Sequence, residues 1–103
     1  MANTNPPKKN QAFTMRMAFE DIATPGRFKS SPTLAAGDFK RDQDGGGLNN
    51  LTTLPSVDPS STKSVLFSLS STEMNFDMVS IICSDQTAPP EWPDNFICIQ
   101  TTA

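Results

Sequence analysis

The 103-residue sequence contains no histidine and no tyrosine, with one tryptophan and two cysteines. Without histidine it lacks the commonest general base and the commonest zinc ligand, which excludes a Ser-His-Asp or Cys-His mechanism assembled from its own residues. Two cysteines are too few for the disulfide framework of a small secreted scaffold. No stretch approaches the roughly 20 apolar residues of a membrane span, and the segment from Met1 to Lys9 has no apolar core of signal-peptide length. The expectation is a chain that neither spans a membrane nor is exported. The length suits one small domain and is too short for two. What is plentiful is proline, nine residues, alongside Ser, Thr and Asn, the composition of a loop-rich fold. Several apolar runs alternate too regularly for a disordered chain.

The net charge of −3 hides an asymmetry. Residues 1–41 hold seven basic and three acidic side chains, a surplus of +4, and residues 42–103 hold one basic and eight acidic, a deficit of −7. Two readings stand: charges scattered over a solvated surface, or a basic arm or face that meets acidic surface on a neighbouring copy or partner. Nucleic acid is a poor fit, because the basic residues are few and lack aromatic interleaving.

Residues 1–11 are polar and proline-punctuated, and read as an extended arm that cannot bury itself on its own domain, residues 12–103. Phe13, Met15, Met17 and Phe19 then alternate with polar or small residues at the period of a half-buried strand. Thr24-Pro25-Gly26 ends it as a turn. Extended stretches follow over about 27–34 and 38–41. Asp44-Gly45 marks a hairpin whose returning limb covers roughly 48–54. Val65, Phe67 and Leu69 define another strand, and Ser70 with Glu73 has capping-box spacing for one helical turn. Met78 to Ser84 and Asn95 to Thr101 read as a final strand pair around a loop whose prolines cannot donate to a ladder. About seven short strands with frequent turns predict an all-β fold, a small antiparallel β-sandwich, Ig-like or barrel-like, with an extended N-terminal arm. Such a fold buries little, and oligomerisation is a common remedy.

Counting outward from the middle of the last loop places Cys83 nearly opposite Cys98. The pair reads as buried and reduced, as a cross-strand disulfide, or as a redox or metal site, a role disfavoured by the absence of C-x-x-C spacing and of histidine. Asp42-Gln43-Asp44-Gly45-Gly46 has the look of part of a calcium loop, but the later liganding Glu is missing and a hairpin turn explains the same letters. Asn50-Leu51-Thr52 matches a glycosylation acceptor that means nothing without a secretory signal. Trp92, in a proline-bounded acidic loop, reads as a lid over the core, as an anchor at a protein contact, or as a carbohydrate platform. No glycosidase carboxylate pair, phosphate-binding loop or nucleophile elbow occurs. The expectation is therefore no catalytic residue, no cofactor and no metal, with protein-interaction candidates at Lys8, Lys9, Phe13, Met15, Arg16 and Trp92.

A resemblance is carried by Ala18-Phe19-Glu20-Asp21, Thr24-Pro25-Gly26, Pro32 through Lys40, Asp44-Gly45-Gly46, Asn50-Leu51, Leu54-Pro55, Leu69-Ser70, Glu73-Met74-Asn75, Glu91-Trp92 and Ile99 through Thr102. Over residues 18–102 the chain resembles a family of small tailed-bacteriophage structural domains, found as stand-alone virion proteins and at the beginning of fibre-type proteins. The resemblance implies a non-enzymatic β-rich virion part, assembled in the bacterial cytoplasm, whose partners are other virion proteins: the major capsid protein or tail and fibre components. Stopping after one domain with a polar arm suits a capsid cement or decoration protein that also forms a homo-oligomer. A tail, baseplate or fibre adaptor is the alternative, and a carbohydrate-binding module a more distant one. The segment Phe13 to Phe19 is then either the first strand of the domain or a strand added to a neighbour's sheet edge.

Overall fold

The alternation from Phe13 forms strand β1 (Phe13–Met17) of a computed structural model that describes residues 6–102. Positions 1–5 of the arm lie outside the described residues, as does Ala103. Six further strands follow: β2 (Phe39–Gln43), β3 (Leu48–Asn50), β4 (Ser56–Val57), β5 (Val65–Leu69), β6 (Met78–Cys83) and β7 (Asn95–Gln100). They form two antiparallel sheets, β1-β5-β4 and β3-β2-β6-β7, with no helix among the described residues. The expected small all-β sandwich is the fold observed.

Register follows from burial. β1 pairs with β5 so that Phe13, Met15 and Met17 stand opposite Leu69, Phe67 and Val65, and all six turn toward the other sheet. From that sheet Phe39, Val79, Ile81, Cys83 and Ile99 complete one core. Phe19 and Trp92 stack with ring centroids 4.2 Å apart, Phe39 lies 5.7 Å from Trp92, and Phe67 meets Phe39 edge-on at 5.5 Å. The indole Nε1 donates to the Thr33 carbonyl at 3.4 Å. Trp92 is fully buried, at 0% exposure. The lid-over-core reading of this residue is the one the structure bears out.

The Asp44-Gly45 hairpin forms as expected. Asp44 and Gly45 both take positive φ, 52° and 77°, and the Gly46 amide closes the turn onto the Gln43 carbonyl at 3.0 Å. The Asp44 carboxylate accepts from the amides of Asp77 and Met78, which ties the turn to the start of β6. The capping box also forms: Glu73 N–H donates to Ser70 Oγ at 3.1 Å and Ser70 N–H to Glu73 Oε1 at 2.9 Å. Glu73 is buried, and its other oxygen accepts from Thr52 N–H at 2.9 Å and pairs with Arg41 at 3.1 Å. The capping residue is thereby also the anchor of the loop that follows β3.

Three expectations need correction. The stretch 27–34 is not a strand; it contributes one bridge, Glu20 to Phe28, before Ser31 at φ 46° and Pro32 break the extended run. The returning limb of the hairpin stops at Asn50 rather than 54, and β4 supplies the missing strand. Cys83 lies opposite Asn95, while Cys98 lies opposite Ser80. An 83-to-98 register would turn Ile97 and Ile99 outward and Gln100 inward, and burial of the isoleucines selects the observed pairing. Cys83 is buried and Cys98 exposed on the opposite face, both as free thiols.

Candidate interaction surface

The two sheets present unlike outer surfaces. On the β1-β5-β4 sheet the outward row runs through Thr14, Arg16, Ser68 and Leu66, and Arg16 is tied down: its guanidinium donates to the Asp58 carboxylate at 2.9 Å and to Ser64 Oγ at 3.2 Å. On the four-stranded sheet, Ile82 stands opposite Phe96 and Ser80 opposite Cys98, with Met78 beside Gln100. Phe96 is 66% exposed. Leu48, also exposed, lies at the far edge of the sheet opposite Asp42, separated from these residues by Lys40 and Asp42 of β2 on the same face.

β7 is an edge strand, and its open side is identifiable from the hydrogen bonds beyond its end. Thr101 N–H donates inward to the Asp77 carbonyl at 3.0 Å, whereas Thr102 donates outward to the Pro7 carbonyl at 2.9 Å and accepts from Lys9 N–H at 2.8 Å. Backbone groups alternate sides along an antiparallel strand. The N–H and C=O groups of Phe96, Cys98 and Gln100 therefore point to the open side, where no strand among the described residues pairs with them. Residues 7–9 cover only the last position, through a parallel bridge from Lys8 to Thr102.

The interaction candidates do not converge on one site. Lys8 and Lys9 sit at the C-terminal end of β7, and Lys9 pairs with Asp77 at 3.1 Å. Residues 7–10 thus dock on their own domain through backbone bonds, with Asn10 N–H donating to the Met74 carbonyl at 3.0 Å, while residues 8–10 stay exposed. Phe13 and Met15 face the interior, so they are core residues, and the strand they belong to completes its own sheet. Trp92 is removed from any surface by its burial, which also removes the carbohydrate platform built on it. Arg16 is exposed but engaged by Asp58. Among the described residues the ion pairs Lys9–Asp77, Arg16–Asp58 and Arg41–Glu73 each join the basic first part of the chain to the acidic remainder. Much of the charge asymmetry is therefore answered inside the domain.

The surface residues that sequence reasoning missed are Phe96, Cys98, Met78 and Leu48. The signal was present in Phe96-Ile97-Cys98-Ile99: alternate residues of a strand point to opposite faces, so a continuous apolar run in a two-layer fold leaves half of itself outside.

Among the described residues no group of three or more Cys, Asp or Glu side chains is placed to hold a metal ion. Asp42 and Asp44 serve the hairpin instead, Asp42 accepting from Gly47 N–H at 3.3 Å. Asp85 is a buried carboxylate held by donors of its own loop. Burial acts to raise its pKa, but donors from the Glu91, Thr87 and Trp92 backbone and the Thr87 side chain outweigh it and hold the carboxyl below its ordinary 3.8. Its partners, Glu91 N–H at 2.7 Å and Thr87 N–H at 2.9 Å, shape the loop that carries Trp92 into the core. The recesses are small and open, such as one of about 140 Å³ between Gly37, Leu51 and Pro55. In comparisons with known proteins, no family model matches the chain, and no curated protein and no solved structure is significantly similar to it.

Proposed function

We propose that this chain is a non-enzymatic structural protein of a tailed-bacteriophage virion, a capsid cement or decoration subunit that binds neighbouring virion proteins and stabilises the particle. The reading starts from the family resemblance of residues 18–102. The observation that carries it furthest is the edge strand β7, uncharged and unpaired among the described residues from Phe96 to Gln100, beside the exposed Phe96, Met78 and Cys98, a surface suited to joining chains. The buried carboxylates Asp38, Glu73 and Asp85 are each occupied in holding loops, which is structural work. An adaptor at the tail, baseplate or fibre attachment point uses the same surface and is the second reading.

Mass spectrometry of density-purified particles tests the proposal. The chain is expected in stoichiometric amount, and particles lacking it are expected to release their genome at lower temperature. Its absence from purified particles contradicts the virion reading. Presence in tails alone, with heads lacking it, replaces cement by adaptor.

A further inference from the structure

Exposed sheet edges are blunted by charge, proline or shortness, or are covered, because their unpaired backbone groups recruit other strands. Three edges of this molecule are blunted: β1 carries Arg16, β3 has three residues and β4 two. β7 has six residues, Asn-Phe-Ile-Cys-Ile-Gln, with no charge and no proline, which leaves covering as its protection. That covering has begun at its C-terminal end. Thr102 N–H donates to the Pro7 carbonyl and its own carbonyl accepts from Lys9 N–H, the pattern of a parallel pair centred on Lys8.

We propose that this parallel ladder continues back along β7, so that residues 2–6 of the same chain form a strap that closes the edge. The bridge sets the register. Stepping back two residues at a time from Lys8 beside Thr102 places Pro6 beside Gln100, Thr4 beside Cys98 and Ala2 beside Phe96. Residues 2–6 thereby reach every open-side position of the strand. In a parallel ladder each such residue bonds the two neighbours of the residue it faces. The Asn5 and Asn3 carbonyls then accept from the amides of Gln100 and Cys98, and the Asn5 and Asn3 amides donate to the carbonyls of Cys98 and Phe96. The prolines agree with this placement. Pro6 falls where the nitrogen faces away from β7, a position an edge strand tolerates, and Pro7 forgoes only a bond to the Gln100 carbonyl. No side chain from Met1 to Pro7 is charged, so an uncharged strap meets an uncharged edge. The inference rests on reading β7 as an edge that joins chains; it adds that the free chain shuts this edge itself, and that a neighbour's strand gains it by lifting the strap.

Backbone amide hydrogen exchange of the full chain, beside a chain lacking residues 1–5, is the test. The Cys98 and Gln100 amides are expected to exchange about tenfold or more slowly in the full chain. The Ile97 and Ile99 amides, which face β6, stay slow in both and report that the sandwich remains folded. A second measurement fixes the register in the full-length chain. Opposed residues of neighbouring strands lie within the Cα separation that a disulfide spans. Thr4→Cys treated with oxidised glutathione is therefore expected to form an intramolecular disulfide with the exposed Cys98, and Asn3→Cys, on the other face of the strap, is not. Equal exchange at Cys98 with and without residues 1–5, or an Asn3→Cys variant that bonds Cys98 as readily as Thr4→Cys, overturns the inference. A disulfide found only between two chains overturns the assignment of the strap to its own chain. A strap present in a chain absent from purified particles keeps this inference and removes the virion reading; no strap in a chain that particles contain does the reverse.

Discussion

Trp92, Glu73 and Asp85 do most of the organising that single residues do here, each by tying a loop to the core. Trp92 fills the space between Phe19 and Phe39, so Trp92→Ala opens a large cavity and is expected to cost about 3–5 kcal/mol in chemical denaturation. Glu73→Gln leaves Arg41 beside a neutral group in a half-closed site; loss of one partner of such a pair costs about 3 kcal/mol, read in the same assay. Asp85 sets an acid limit. Its folded pKa lies below its unfolded value, so its contribution is fully present above about pH 4 and is lost as pH falls through the lower, folded value. Asp85→Asn should therefore be less stable than the parent at neutral pH, by about 1–3 kcal/mol, with the gap closing in acid. The thiols differ as sharply: burial pushes Cys83 up to about 12, and Cys98 is exposed. A thiol reagent is expected to modify one cysteine in the folded protein and the second only in denaturant.

At the scale of elements, much of the fold is legible in local chemistry. β1 and β5 announce themselves by strict alternation, the hairpin by Asp44-Gly45, and the turn after β5 by Ser70 and Glu73 three residues apart. Gly45→Ala tests the hairpin reading, since a side chain at φ 77° is strained by about 1 kcal/mol, and a drop in melting temperature without loss of fold is expected. What local chemistry could not supply was long-range. The segment 27–34 has strand-like letters, yet Pro32 and the positive φ of Ser31 take it off the sheet, and Ser31 N–H bonds the distant Thr62 carbonyl instead. The β6–β7 register was mistaken because loop symmetry is a weaker guide than which face the isoleucines must bury. The interaction candidates fared worst for the same reason: Phe13, Met15 and Trp92 have the letters of a contact surface and of a core alike, and only tertiary placement separates them.

For the whole molecule, the charge polarity of the sequence becomes a set of internal ties. Removing residues 1–11 deletes the Lys9–Asp77 pair and the bonds to Thr102 and Met74. The truncated chain is expected to fold with a lowered melting temperature, read by thermal denaturation beside the full chain. The proposed virion role rests on the β7 edge, uncharged and unpaired among the described residues from Phe96 to Gln100, and on the exposed Phe96, Met78 and Cys98 beside it. The central claim is that the chain is a shell-bound virion part, and cryo-electron microscopy of purified particles tests it most directly. The account predicts density for this sandwich on the capsid surface. Particles whose shell carries no such density would contradict it.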